Sequence, residues 1–186
     1  MNEIKDQLDA LREEQHNFFF RLQALRKDEI EARDKIQELA KKVNEALRLI
    51  SKSNIPGLPE DYRYLFKDGR ESIKNVKKQL EEKPLNISSV NQYLEIAVLT
   101  VEKLVSTTYA LIESARLAEK VIQYGNRYRS QYPTVSRALA EAEKAFRSFE
   151  YQRALEQAAT SIQAIDPGAI KRIETLVSKE KTEIFN

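Results

Sequence analysis

Two places in this 186-residue chain bring chemically capable side chains together. One is His16, the sole histidine, which follows Glu13, Glu14 and Gln15. An imidazole beside carboxylates is the raw material of acid–base catalysis or of a metal site. The other is the run Ile122-Gln123-Tyr124-Gly125-Asn126-Arg127-Tyr128-Arg129-Ser130-Gln131-Tyr132-Pro133. Its tyrosines recur every fourth residue, which on a helix makes one stripe, and Arg127 and Arg129 stand beside them. Tyrosine with arginine is the chemistry of protein docking hot spots, and also of phosphate contact with base stacking. From Arg116 to Arg137 there are five basic residues and one acidic, so the run is a local cationic, aromatic patch.

The rest of the chain discriminates among these chemistries. His16 falls on the solvated side of a helix, and no glycine-rich phosphate loop or nucleophile motif accompanies it. Paired acids such as Glu81 and Glu82 read as ordinary solvated charge. With no cysteine and one histidine, neither a disulfide nor a zinc site is expected. No enzymatic activity, cofactor or metal follows from these residues. Lys and Arg number 31 against 29 Asp and Glu, a net charge of +2, and no nucleic-acid module is present, so no nucleic-acid partner is expected. No uncharged apolar run approaches the ~18 residues that a membrane span needs, and no signal peptide is visible. A cysteine-free chain is compatible with the cytoplasm.

The elements that must hold the patch are legible from spacing. Ile4, Leu8, Leu11, Gln15, Phe18, Leu22, Leu25, Glu29, Ala32, Ile36, Leu39, Val43, Ala46 and Ile50 follow a four-three rhythm, and twelve of the fourteen are apolar. A 3.5-residue repeat sustained that long predicts one continuous helix with a coiled-coil seam. Phe18, Phe19 and Phe20 together cover too wide an arc for one seam and imply contacts on more than one side. Pro56-Gly57-Leu58-Pro59 ends this helix. A second helix follows over Glu60 to Glu82, with Tyr62, Phe66, Gly69, Ile73, Val76 and Leu80 as its seam. After Lys83-Pro84-Leu85-Asn86, a third is expected from about Ser88 to Ser130, capped by Ser88 or Ser89. Breaks at Tyr132-Pro133, at Ser148 to Glu150 and at Asp166-Pro167-Gly168 separate three short helices, with Asp166 as a further cap.

Short loops make consecutive helices antiparallel. The second helix is then long enough to cover only the last half of the first, and the third overshoots the first. The expected fold is all-α: elongated, spectrin-repeat-like antiparallel three-helix bundles that share long helices. Residues 1–30 would be the first half of a shared helix. Residues 31–110 would form a three-helix bundle centred on Leu94, Val101 and Leu104, and residues 111–186 a C-terminal bundle carrying the patch. With no partner for Ile4, Leu8, Leu11 and Phe18 inside the chain, residues 1–25 are expected to self-associate, most simply as an antiparallel two-fold dimer.

The string YGNRYRSQYP, with EAEKAFRSFEYQRALEQAATSIQAIDPGAIKRIE after it, resembles the C-terminal part of EzrA, the septation ring formation regulators of low-G+C Gram-positive bacteria. The resemblance is strongest over Ile122 to Glu174 and continues upstream as pattern. It implies a cell-division regulator that binds the tubulin-like protein FtsZ, restrains Z-ring assembly at improper sites and joins the septal machinery. It implies a place on the cytoplasmic side of the cell membrane at the division septum, through an N-terminal anchor that lies outside this sequence. It also implies a protein-binding patch at Gln123, Tyr124, Gly125, Asn126, Arg127, Tyr128, Arg129 and Ser130. An alternative is a helical repeat adaptor for a partner peptide. Ala142, Phe146, Tyr151, Ala154, Ala158 and Pro167 echo a tetratricopeptide helix pair, but only one such unit is visible where about three are needed.

Overall fold

The computed structural model describes residues 2–185, with side chains described for residue 5 and for residues 7–178. Ile4 lies outside that side-chain set. The fold is all-α. Among the described residues six α-helices follow one another: α1 Asn2–Ser53, α2 Glu60–Glu81, α3 Ile87–Gly125, α4 Pro133–Arg147, α5 Tyr151–Gln163 and α6 Ala169–Phe185. Among the described residues there is no strand.

Helix ends follow local chemistry. Asn54 takes a left-handed φ of 53° just after α1, a conformation asparagine tolerates better than most residues. Helix α2 opens behind Pro59 with Glu60 and Asp61 in its first turn, where carboxylates meet the positive end of the helix dipole. The cap of α3 differs from the expectation of Ser88 or Ser89. Asn86 Oδ1 accepts from the Ser89 N–H at 3.1 Å, and α3 begins one residue later, at Ile87. An N-cap side chain must reach the amide three residues on, which makes Ser89 the recipient of the bond. Pro133 starts α4 from Tyr132, where its missing N–H forfeits nothing.

The chain packs as two compact units, Met1–Lys41 with Arg70–Leu99 and Lys42–Gly69 with Thr100–Asn186. In the first, Ala32, Ile36 and Leu39 of α1 are buried, as are Ile73, Val76 and Leu80 of α2 and Val90 and Ala97 of α3. Those of α1 and α2 are the seam positions read from spacing. Leu94 departs from its expected central place: it is half-buried and lines a groove with Asp28, Glu31 and Ala32. Earlier on the same α1 seam, Leu8, Leu11, Phe18, Leu22 and Leu25 are exposed, as are Phe19 and Phe20 beside it.

The second unit buries Val43, Ala46 and Leu49 of α1, Tyr62 of α2, and Val101, Leu104 and Thr108 of α3. Thr108 donates its hydroxyl to the Leu104 carbonyl at 2.7 Å, and so receives the Tyr62 hydroxyl at 2.8 Å. Both side chains are thereby satisfied inside an apolar core. Farther along, Val121 and Ile122 of α3 pack with Val135, Leu139 and Ala142 of α4, Ala158 and Ile162 of α5, and Ala169, Ile173 and Val177 of α6. The α4–α5 corner is pinned to the α1–α2 loop. Tyr151, 1% exposed, donates its hydroxyl to the Gly57 carbonyl at 2.7 Å and accepts the Gly57 N–H at 3.2 Å. Phe149, held at a left-handed φ of 64°, lays its ring where a β-carbon on Gly57 would lie, within 2.4–2.9 Å. Only glycine fits there.

Candidate functional site

The patch sits where α3 ends. The expected helix to Ser130 stops at Gly125, and Asn126–Tyr128 continue as one 3-10 turn. The turn keeps the tyrosine stripe together. Ring centroids are 6.0 Å apart for Tyr124 and Tyr128 and 6.3 Å for Tyr128 and Tyr132. The Tyr132 N–H still reaches the Tyr128 carbonyl at 3.0 Å.

Gly125 is buried at the point where α3 meets α4 and α5. A β-carbon there would stand 2.8 Å from Ile162 Cδ1 and 2.9 Å from Leu139 Cδ1. Its φ of −67° is open to any residue. The glycine is therefore required by close approach and not by backbone conformation.

Tyr124 and Tyr128 turn toward the α5–α6 loop. The Tyr124 hydroxyl donates to Asp166 Oδ2 at 2.7 Å, and the Tyr128 hydroxyl lies 3.5 Å from the same oxygen. Arg172 of α6 donates to Asp166 Oδ2 at 2.5 Å and to the Tyr124 hydroxyl at 3.1 Å. The Tyr124 hydrogen bond, joined by the Arg172 charge, holds the Asp166 carboxyl below the usual carboxylate value, with partial burial opposing. The Arg172 guanidinium is pushed up by the same partners, Tyr124 first and Asp166 after it. Asp166 was expected as a helix cap. It does accept a backbone bond from Gly168, but α6 begins only at Ala169, and the carboxylate mainly ties the loop to the tyrosines.

The two arginines that stand beside the stripe have different roles. Arg129 is half-buried and ion-paired with Glu143 of α4. Its Nε is buried and has no hydrogen-bond partner among the described residues. Arg127 is exposed. Its guanidinium lies 3.9 Å over the Tyr124 ring, and its Nε donates to the Tyr124 carbonyl at 3.1 Å. That stacking holds the arginine in place on the surface.

The eight residues thus divide. Gly125, Tyr124, Tyr128 and Arg129 face the α4–α6 bundle. Gln123, Asn126, Arg127 and Ser130 are exposed, Gln123 on the last turn of α3, Asn126 and Arg127 on the 3-10 turn and Ser130 just after it. Gln123 is braced by a 3.2 Å hydrogen bond from its Nε2 to Glu119. The result is a polar, singly cationic stripe on a rigid support. Asp166, Arg172 and Glu143 were not singled out as partners of the patch, because they lie 42, 48 and 14 residues from theirs.

The other candidates fall elsewhere. His16 is exposed on α1, with its ring 4.6 Å from Phe20 edge-on. Among the described residues no group of His, Asp and Glu is placed to hold a metal, and no helix is long and apolar enough to cross a membrane. Ala142, Tyr151, Ala154 and Ala158, the tetratricopeptide-like positions, are buried in the second unit, and Phe146 packs partly buried against the Ala118–Ala145–Ala154 cluster.

Comparison with known proteins identifies the setting. The profile of the septation ring formation regulator EzrA matches residues 1–177. EzrA of Geobacillus sp. (strain WCH70) is 45% identical over 152 residues, 82% of this chain and 27% of the relative. EzrA of Listeria innocua is 38% identical over 175 residues, 94% of this chain and 31% of the relative. EzrA of Bacillus pumilus is 34% identical over 180 residues, 97% of this chain and 32% of the relative. The chain thus spans roughly three-tenths of the length of these curated relatives. No solved structure matches. A profile that matches residues 1–177, together with relatives 34–45% identical over most of the chain, places the chain in the EzrA family of septation ring formation regulators.

Proposed function

We propose that this chain is a non-enzymatic part of a division-site scaffold, in which the stripe Gln123–Asn126–Arg127–Ser130 docks a protein of the septal machinery. The observation that carries this reading is the sorting of the patch. Four of its residues are committed to packing, and the other four are exposed, with Arg127 held by its stack on Tyr124. An arginine already held in place binds with little ordering entropy. The family name gives the process, septation, and the exposed stripe supplies a surface for it.

In the same reading, the whole protein binds FtsZ and restrains its assembly away from midcell, on the cytoplasmic side of the membrane at the septum. Its helices follow a spectrin-like plan, with the three divisions 1–30, 31–110 and 111–186, and residues 1–25 self-associate. The test has two parts. Co-sedimentation of this chain with assembling FtsZ should carry it into the pellet, and a chain that stays in the supernatant overturns FtsZ binding here. A Gln123→Ala, Asn126→Ala, Arg127→Ala variant of the full-length protein should lose septal localisation while melting like the parent. Normal localisation overturns the docking role.

A further inference from the structure

We propose that the open groove between α4 and α5 docks an amphipathic helix of a partner protein, with a basic residue of that helix at Glu141 and Glu156 and an acidic one at Arg137. The proposal does not depend on the stripe Gln123–Asn126–Arg127–Ser130. Glu143, which holds Arg129 behind that stripe, lies two residues past Glu141 and so about 200° round α4 from it.

The groove has a volume of 570 Å³, comparable with sites of ~300–1,000 Å³ that hold ligands. Its α4 wall is Thr134, Arg137, Ala138 and Glu141, at the i, i+3, i+4, i+7 spacing of one helix face. Its α5 wall is Glu156, Gln157, Thr160 and Ser161. The core-facing sides of both helices are already committed, with Leu139 and Ala142 of α4 and Ala158 and Ile162 of α5 buried. Ala138, in the middle of the α4 wall, is small, and small side chains at a contact let helix axes approach closely.

The polar groups of the groove lack partners. Arg137 and Glu141 are spaced i, i+4, where an intrahelical ion pair is open to them. Among the described residues neither has an ion pair or a side-chain hydrogen bond, and the Thr134 and Thr160 hydroxyls have none either. Elsewhere on the hairpin Glu143 is paired with Arg129, and Glu150 with Arg153. Glu156 accepts from Gln152 Nε2 at 2.8 Å, a neutral donor that leaves its charge uncompensated. Water satisfies exposed groups such as these, but it does not reach Gln157 Oε1, which is buried and has no donor among the described residues. A buried acceptor without a donor is destabilising. Gln157 is only half-buried as a whole, so a turn of its amide brings that oxygen to a donor lying in the groove.

The charges select the occupant. Glu141 and Glu156 lie toward the α4–α5 corner, and Arg137 lies a turn farther along α4. A helix with a base and an acid one to two turns apart, and apolar residues between them over Ala138, meets each rim charge with its opposite. A helix with acids in both places sets like charges together at the corner end, which interfaces avoid. Apolar residues at i, i+3 and i+4 are the usual anchors of a helix in such a groove.

Phage display of random peptides about four helical turns long, selected on the 186-residue chain, tests this. Selected peptides should carry the apolar spacing with a base and an acid flanking it. Their affinity, read by fluorescence anisotropy on synthetic peptides, should fall about tenfold or more with Ala138→Trp, which fills the groove. It should fall as far with Glu141→Lys and Glu156→Lys together, which reverse the acidic end. None of these side chains is in the core, so circular dichroism should show unchanged folding. Gln157→Leu should raise the melting temperature and still weaken the peptide by about threefold or more; a merely structural glutamine would move the melt alone. A selection that yields no peptide, or peptides indifferent to Ala138→Trp or to the charge reversal, overturns the proposal. So does a dimer that Ala138→Trp dissociates, which would give the groove to a second copy. Loss of peptide binding in the full-length protein would give it to another segment of the same polypeptide and overturns it equally.

Discussion

Gly125 offers the sharpest test of how the patch is built. Replacing it with alanine pits two effects against each other. Alanine is the better helix former by about 1 kcal/mol in a helix interior, and less at this position, the last of α3. Against that gain, the added methyl would stand 2.8 Å from Ile162 Cδ1 and 2.9 and 3.0 Å from the two terminal methyls of Leu139. Carbon atoms rest at ~3.5–4.0 Å, so three methyls on two helices must each give way by about half an ångström or more. Leu139 and Ile162 are both fully buried and have little room to move. Overpacking of this kind costs roughly 1–3 kcal/mol. The net expectation is destabilisation by about 1–2 kcal/mol, or a few degrees of melting temperature for a chain of this size. Ile162→Val removes the nearest methyl, so Gly125→Ala should be milder in that background than in the parent. The two substitutions should couple by about 0.5 kcal/mol or more. Gly125→Leu should be far worse than either. Urea unfolding followed by circular dichroism gives all four corners of the cycle. A stabilised Gly125→Ala chain, or strictly additive effects, would refute the close-approach reading and leave the glycine unexplained.

Leu104→Ala should cost about 2–5 kcal/mol, since Leu104 is fully buried, while Lys77→Ala on the exposed side of α2 should stay under ~0.5 kcal/mol; thermal melts compare them. Thr108→Val should destabilise by roughly 1–3 kcal/mol by leaving the buried Tyr62 hydroxyl without its acceptor, and adding Tyr62→Phe should recover much of that loss in the same unfolding assay. Arg129→Ala should lower stability by about 1 kcal/mol through loss of the half-buried Glu143 pair, whereas Arg127→Ala should leave the melt within ~0.5–1 kcal/mol, the range of an exposed cation–π stack. Asp166 is held below its ordinary value when folded, so its contribution is fully present above ~pH 4, the unfolded value, and disappears as pH falls through the folded value. Asp166→Asn should therefore flatten the acid limb of a stability–pH curve below that point, and an unchanged limb would show that the Tyr124–Arg172 cluster carries no linkage.

The helices were legible because their signals are local. The four-three rhythm from Ala32 to Ala46 marks the buried side of α1, and Pro59, Pro133 and Pro167 mark interruptions that the backbone obeys. Errors arose where two local signals competed. Ser88, Ser89 and Asn86 are all capable caps, and the amide three residues on decides among them. Leu94 keeps the seam rhythm, yet it lies along a groove whose other wall carries Asp28 and Glu31. Seam rhythm states which way a residue points and not whether anything stands opposite. The same gap in local information explains Leu8 to Leu25, which have an apolar pattern as regular as the buried half of α1 and nothing over them among the described residues.

The patch shows the limit most clearly. Tyr124, Arg127, Tyr128 and Arg129 belong to two residue types enriched at docking hot spots, and composition treats them as one surface. The fold separates them through contacts that no short window contains. Asp166 and Arg172 capture the tyrosine hydroxyls, and Glu143 captures Arg129. Arg127 stays outside: the carboxylates of Asp166 and Glu143 are engaged by Arg172 and Arg129, and its guanidinium stacks on Tyr124 instead. The tyrosines therefore serve the proposed surface indirectly. Tyr124 is anchored through its hydroxyl on one side and supports the arginine with its ring face on the other, so a change at Asp166 should loosen Arg127 without touching it. A loss of docking on Asp166→Asn, matched by that of Arg127→Ala and larger than the change in stability explains, would show that the anchored and exposed halves of the motif work as one device.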